Sequence, residues 1–179
     1  MLAKSLPLLK IKLKEGFVCP SYSNKYMIIR YAIEEILSSE FIQEFVSVDL
    51  ELREAQLFIS PPSLIGGIHI DGHNLDLEAA AINYVLNNNT DWSMQWFHAT
   101  IDTVNKSISS GNTSYISLSP EQCKLIYEFN TTDPFLVQVG TPHRIVNFST
   151  LPRYCLSLRF KQSNFSTVLK NANRYCTEI

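Results

Sequence analysis

Residues 69–71 read His69-Ile70-Asp71 inside the run GGIHIDGH, a β-like stretch that carries metal-capable side chains at alternate positions. On an extended strand successive side chains point to opposite faces, so His69 and Asp71 project together while Ile70 enters the other layer. An imidazole and a carboxylate on one face are two of the three groups a facial metal triad needs, and a second imidazole from a distant strand would complete it. His73 belongs to the same local run; Gly72 suggests that the chain turns there, and His73 reads as a polar loop residue. His98 closes the stretch SMQWFHA and reads as a solvated residue at a strand end, near enough to a mouth to touch a substrate. His143 stands out, because Gly140-Thr141-Pro142 makes a turn between two apolar runs and delivers the ring at a strand start. Ten residues later Arg153 opens the strand RYCLSLRF, on which Cys155, Ser157 and Arg159 share its face.

The elements that must position these groups are mostly strands. The helical part comes first: SNKYMIIRYAIEEILSS offers Ser23 or Asn24 as N-cap and then Ile29, Ala32, Ile33, Ile36 and Leu37 at helical spacing, with a second short helix at EFIQEF. From Val46 the period changes to two, and VSVDLEL, AQLFIS, GIHID, AAAINYVL, SMQWFHA, SYISL, PFLVQVG, HRIVNF and RYCLSLRF read as strands. SPEQCKLIYEF begins like a helix at Ser119, Pro120 and Gln122, while its tail reads equally as a strand. The expected fold class is mainly β with N-terminal helices, a sandwich or open barrel with helices on one face. The GG at 66–67 reads as a tight turn or bulge before the metal strand, and Trp92, Trp96 and Phe97 as core or rim aromatics.

Composition bounds the rest. At 179 residues and 45% hydrophobic, the chain suits one domain with a sizeable core, a helical segment over about 23–45 and a β core over about 46–160. A net charge of −2 gives no global attraction for a polyanion, so nucleic acid is a disfavoured partner, and the alternating Lys4, Lys10, Lys12 and Lys14 read as a solvated strand face. No apolar run is long enough to span a bilayer, lysines and a proline interrupt the N-terminal stretch, and a cytoplasmic location is expected. Cys19, Cys123, Cys155 and Cys176 are scattered without a CxxC, as suits reduced thiols.

His-x-Asp, a distal His and an Arg about ten residues beyond it resemble the iron(II)- and 2-oxoglutarate-dependent oxygenases, in particular prolyl-hydroxylase-like and small phage-type members. GGIHIDG, AAAINYVLN, MQWF, TPHRIVN and RYCLSLRF carry the resemblance over residues 56–160. It implies a double-stranded β-helix, a cupin-like jelly roll whose mouth holds Fe(II). His69, Asp71 and His143 would be the catalytic metal ligands, leaving positions for 2-oxoglutarate and dioxygen. Arg153 would meet the far carboxylate of 2-oxoglutarate with its planar fork, Ser157 would donate to the same group, and Arg159 would serve if the register were shifted. Asn83 and Tyr84 lie on opposite faces of one strand, so one of them faces the co-substrate, and the sequence leaves open which. The implied reaction is hydroxylation of a protein side chain, an amino acid or a small metabolite, with the loops SPPSLIGG, DGHNLDLE and TIDTVNKSISSGNTSYISL selecting the substrate. The rival expectations are a non-catalytic metal-binding module and a cupin-like enzyme that uses no 2-oxo acid, either of which would leave Arg153 idle. The oligomeric state is left open.

Overall fold

The strands that begin beyond residue 50 switch sheets almost one by one. The computed structural model describes residues 1–71, 79–99, 105–110, 113–162 and 164–178. In chain order its strands are β1 (Ala3–Ser5), β2 (Met27–Tyr31), β3 (Leu52–Ser60), β4 (His69–Asp71), β5 (Ala80–Val85) and β6 (Trp92–Ala99). They continue as β7 (Asn105–Ser110), β8 (Thr113–Ser117), β9 (Cys123–Phe129), β10 (Phe135–Gln138), β11 (His143–Asn147) and β12 (Arg153–Phe160). One sheet has the order β1-β10-β5-β12-β3-β2 and the other β7-β8-β4-β11-β6-β9. The strand pairings among the described residues are antiparallel, and β3, β4, β5 and β6, then β10, β11 and β12, alternate between the two sheets. That alternation winds the chain into a double-stranded β-helix, the jelly roll expected from the sequence.

Period-two patterning sorts the side chains into layers. On β12, Leu156, Leu158 and Phe160 face outward with Ile82 and Tyr84 of β5, and α2 (Ser39–Ser47) and α3 (Phe165–Glu178) cover them with Phe41, Phe45, Val168 and Tyr175. Each such buried side chain contributes roughly 1.5–3 kcal/mol of apolar transfer. A second cluster, Ala81, Trp92, Met94, Trp96, Phe135 and Val137, draws on strands of both sheets. The polar residues of β12, Arg153, Ser157 and Arg159, alternate with its outward leucines and so turn to the inner face.

Two sequence expectations need correction, and a third left open is decided. The helix expected over 23–39 is instead the edge strand β2, paired with β3 from Met27↔Ile59 to Tyr31↔Ala55, followed by the single turn α1 (Ile33–Ile36). Its Ile and Tyr residues suit a pleated surface, and the partner strand supplies what local spacing cannot reveal. VSVDLEL is not one strand: α2, capped by Ser38 at Phe41 N–H, runs to Ser47, Asp49 takes a left-handed φ of 59°, and β3 starts at Leu52. Phe41, Phe45 and Val48 keep helical spacing, and their burial decides the matter. SPEQCKLIYEF resolves into a 3-10 turn over Pro120–Gln122 and the edge strand β9. The helix α3 goes beyond the expected elements; Asn164 accepts from Thr167 N–H at its start. His73 and residues 72–78 and 100–104 of the expected selector loops lie outside the described residues.

Candidate metal centre

His69 and His143 stand directly opposite each other on β4 and β11. The hydrogen-bonding of the two rings is alike. Nδ1 of His69 lies 3.0 Å from the Gly67 carbonyl and Nδ1 of His143 lies 2.8 Å from the Thr141 carbonyl, in each case two residues back along the chain. A carbonyl only accepts, so Nδ1 carries the proton and Nε2 keeps its lone pair for a metal. The ring centroids are 4.5 Å apart, and Asp71 Oδ1 is 3.4 Å from His69 Nε2. Among the described residues, His69, Asp71 and His143 form a group whose ligand atoms all lie within 4.8 Å of one another. Neighbouring ligands on a first-row metal with bonds of about 2.1 Å are about 3 Å apart, so small rotations bring this set onto one ion. Two imidazoles and a carboxylate on one side of the metal suit Fe(II), with coordination positions left over.

The electrostatics favour the ligand forms of Asp71 and His143 and bias His69 toward its protonated form, whose Nε2 proton a metal would displace. Burial would raise the Asp71 carboxyl, but the Arg159 guanidinium, the hydrogen bond with His69 and the His143 ring hold it well below the usual carboxylate range. Burial pushes His143 down to about 4, helped by His69 and opposed by Asp71. His69 is also penalised by burial, yet its hydrogen bond to Asp71, the charge there and the Gly67 carbonyl move it upward on balance. Arg159 Nη2 donates to Asp71 Oδ2 at 2.6 Å, so the residue expected as a fallback for 2-oxoglutarate braces the metal carboxylate instead.

Arg153 opens β12 opposite Ser60 and is 1% exposed, with its guanidinium carbon 4.1 Å from the centre of the Trp92 ring. Its Nε and Nη2 have no hydrogen-bond partner among the described residues. Ser157 pairs across the sheet with Asn83, and both are buried with Ser157 Oγ and Asn83 Oδ1 unpaired. Asn83 thus belongs to the inner face, whereas Tyr84 lies in the helix-covered core, 6.4 Å from the Phe41 ring. His98 is exposed near the end of β6, and Trp96 is buried with its N–H on the Gln138 carbonyl at 2.8 Å.

Two tyrosines escaped the sequence reading. Tyr115 is the register partner of Asp71 on β8 and meets the His69 ring edge-on at 5.8 Å. Tyr26 precedes Met27, whose pairing with Ile59, continued by one residue, sets Tyr26 beside Ser60 and in line with Arg153. Half of its surface is exposed, yet burial of its hydroxyl end and then the charge of Asp71 push its ionisation upward, against Arg153. Tyr115 sits in the insert between β6 and β9 and Tyr26 in a stretch with helical spacing, so neither carried a local signal.

No family model and no curated protein matches the chain. Some solved structures are similar to it. The non-heme alpha-ketoglutarate-dependent carbocyclase SnoK from nogalamycin biosynthesis is similar at a TM-score of 0.44 and 10% identity, over 82% of this chain and 69% of its own. A prolyl hydroxylase from Trichoplax adhaerens, in complex with a hypoxia-inducible factor oxygen degradation domain peptide fragment, is similar at a TM-score of 0.34 and 18% identity, over 75% of this chain and 56% of its own. At these identities the likeness is one of chain course. The chemistry rests on the residues of this chain, which define a jelly roll with a His-Asp-His cluster between its sheets.

Proposed function

We propose that this protein is an Fe(II)- and 2-oxoglutarate-dependent dioxygenase that hydroxylates a protein side chain, an amino acid or a small metabolite. One observation carries the reading: the buried guanidinium of Arg153, with Nε and Nη2 unpaired among the described residues, on the inner face of the sheet opposite the His-Asp-His cluster. An unpaired buried charge costs several kcal/mol, and a carboxylate relieves it with the planar pairing that guanidinium favours. A simple metal-binding module has no need of it. Bound Fe(II), with 2-oxoglutarate and dioxygen, supplies the oxidising power for attack on a C–H bond.

The chain's own groups do the rest. His69 and His143 present Nε2 because their Nδ1 protons are held by carbonyls, and Asp71 remains a carboxylate because Arg159 stands behind it. Arg153, Ser157 Oγ and the Asn83 amide Nδ2 would donate to the distal carboxylate of 2-oxoglutarate and so orient its 2-oxo acid end. Tyr26 and Tyr115 flank the approach, one from each sheet, and narrow the access of water and of wide substrates.

Anaerobic addition of Fe(II) and then 2-oxoglutarate tests the reading by the weak visible charge-transfer band of the chelated metal. The band should require 2-oxoglutarate, vanish in His69→Ala and weaken in Arg153→Ala. Iron binding without any such band would leave a metal centre that uses no 2-oxo acid. Absence of iron binding would leave a non-catalytic module.

A further inference from the structure

Two tryptophans of β6 lie on the same inner face, Trp92 1% exposed and Trp96 fully buried, yet their indole N–H groups fare differently. Trp96 Nε1 donates to the Gln138 carbonyl at 2.8 Å, as a buried indole ordinarily does. Trp92 Nε1 has no partner among the described residues. A core position that needs only apolar bulk would be filled by Phe without that loss. Trp92 is also tied to the other unpaired groups. Its ring centre is 4.1 Å from the Arg153 guanidinium carbon and stacks on Phe135 at 5.4 Å; Phe135 pairs with Asn83, and Asn83 pairs with Ser157. Arg153 Nε and Nη2, Trp92 Nε1, Ser157 Oγ and Asn83 Oδ1 are thus buried groups unpaired among the described residues, on side chains connected by ring contacts and strand register. Three of those five atoms are N–H donors, and Ser157 adds a hydroxyl. The common complement of these four donors is an anion with two acceptor oxygens, whereas Asn83 Oδ1 is itself an acceptor.

We propose that Trp92 is a co-substrate-binding residue, its indole N–H donating to the same carboxylate that Arg153 pairs with. The inference rests on the 2-oxoglutarate reading of the site. The indole acts twice there: its face fixes the plane of the guanidinium, and its N–H adds a donor that distinguishes a dicarboxylic 2-oxo acid from one lacking the distal carboxylate.

The test compares 2-oxoglutarate with pyruvate, which offers the same 2-oxo acid end without the distal carboxylate, in wild type and Trp92→Phe loaded anaerobically with Fe(II). Phe keeps an aromatic ring under Arg153 and removes the N–H together with part of the ring volume, and pyruvate controls for the lost volume. Half-saturation of the charge-transfer band by 2-oxoglutarate should need about ten-fold more ligand in Trp92→Phe, as fits a lost hydrogen bond to a charged group, while that by pyruvate stays as in wild type. Equal 2-oxoglutarate affinity in the two proteins, or equal weakening toward both acids, overturns the role of Trp92. A wild type that gives no 2-oxoglutarate band overturns the functional reading itself, and the inference with it. Should the variant fail to fold, the Zn(II)-loaded wild type labelled with ¹⁵N-tryptophan answers the same question. One of its two indole N–H signals should move with 2-oxoglutarate and stay with pyruvate, and assignment by Trp96→Phe must give it to Trp92; if neither signal responds selectively, the inference falls.

Discussion

Arg159 Nη2 lies 2.6 Å from Asp71 Oδ2 while Asp71 Oδ1 faces His69 Nε2 at 3.4 Å, so one carboxylate is braced on one oxygen and offered to a metal with the other. The brace fixes which oxygen is free and keeps the group ionised. Removing such an outer partner typically lowers metal affinity about 10–100-fold. Arg159→Ala should therefore weaken Fe(II) binding by that order, with Arg159→Lys intermediate because the planar fork is lost but the charge is kept. Titration with Fe(II) under anaerobic conditions decides it, and wild-type affinity in Arg159→Ala would show the ion pair to be irrelevant to the ligand.

Asn83 and Tyr84 are adjacent in the chain and face opposite layers, so their substitution should separate co-substrate binding from packing. Asn83→Ala should raise the 2-oxoglutarate requirement of the charge-transfer band about ten-fold, as expected for loss of a hydrogen bond from the amide Nδ2 to a charged group. Tyr84→Phe should leave that requirement unchanged. Its hydroxyl is buried without a partner, so losing it should leave the melting temperature the same or slightly higher. The opposite pattern would place the co-substrate on the helix side of the sheet.

The metal strand was legible because period two needs no partner: His69 and Asp71 share a face on any extended chain. Arg153 and Ser157 share theirs for the same reason. Which neighbouring strand confronts them was not legible, and the roles that depend on it surfaced only in the fold. Arg159 reads as another inner-face arginine until β4 is set across from β12, and Trp92 and Trp96 differ only in whether a carbonyl lies beside the indole. Residues 29–37 showed helical spacing, and a strand there depends on β3, some thirty residues away. For α3 the local signal was present in Phe165, Val168, Ala172 and Tyr175, behind Asn164 as cap.

Glu44 joins three segments, accepting from Lys12 Nζ of the N-terminal arm and, at 2.7 Å, from Tyr175 Oη of α3. Burial alone would raise its carboxyl, but the bonds from Lys12 and Tyr175 move it below its ordinary 4.5. A carboxyl depressed by folding stabilises the native state above its unfolded value, and that contribution disappears as the pH falls through the folded value. The melting temperature should therefore drop as the pH is lowered below 4.5. Glu44→Gln should melt about 2–4 °C lower at neutral pH, as fits a loss of about 1 kcal/mol in a chain of this size, and should show a shallower acid slope. An unchanged slope would assign the acid sensitivity to other carboxylates.

Gly66 and Gly67 precede the metal strand together, but only one of them is constrained. A Cβ on Gly66 would lie 2.8 Å from the Ile145 carbonyl oxygen, which already accepts from Gly66 N–H at 2.9 Å; Gly67 would meet nothing within 4 Å. The obstacle is backbone on β11, two residues from His143, so it yields only by moving that strand away from β4. Overpacking of this kind costs about 1–3 kcal/mol. Gly66→Ala should lower the melting temperature by several degrees and weaken Fe(II) binding, because the same shift separates His143 from His69. Gly67→Ala, measured beside it, should match wild type in both respects. If the two variants behave alike, the close approach of β4 and β11 does not set the geometry of the metal centre.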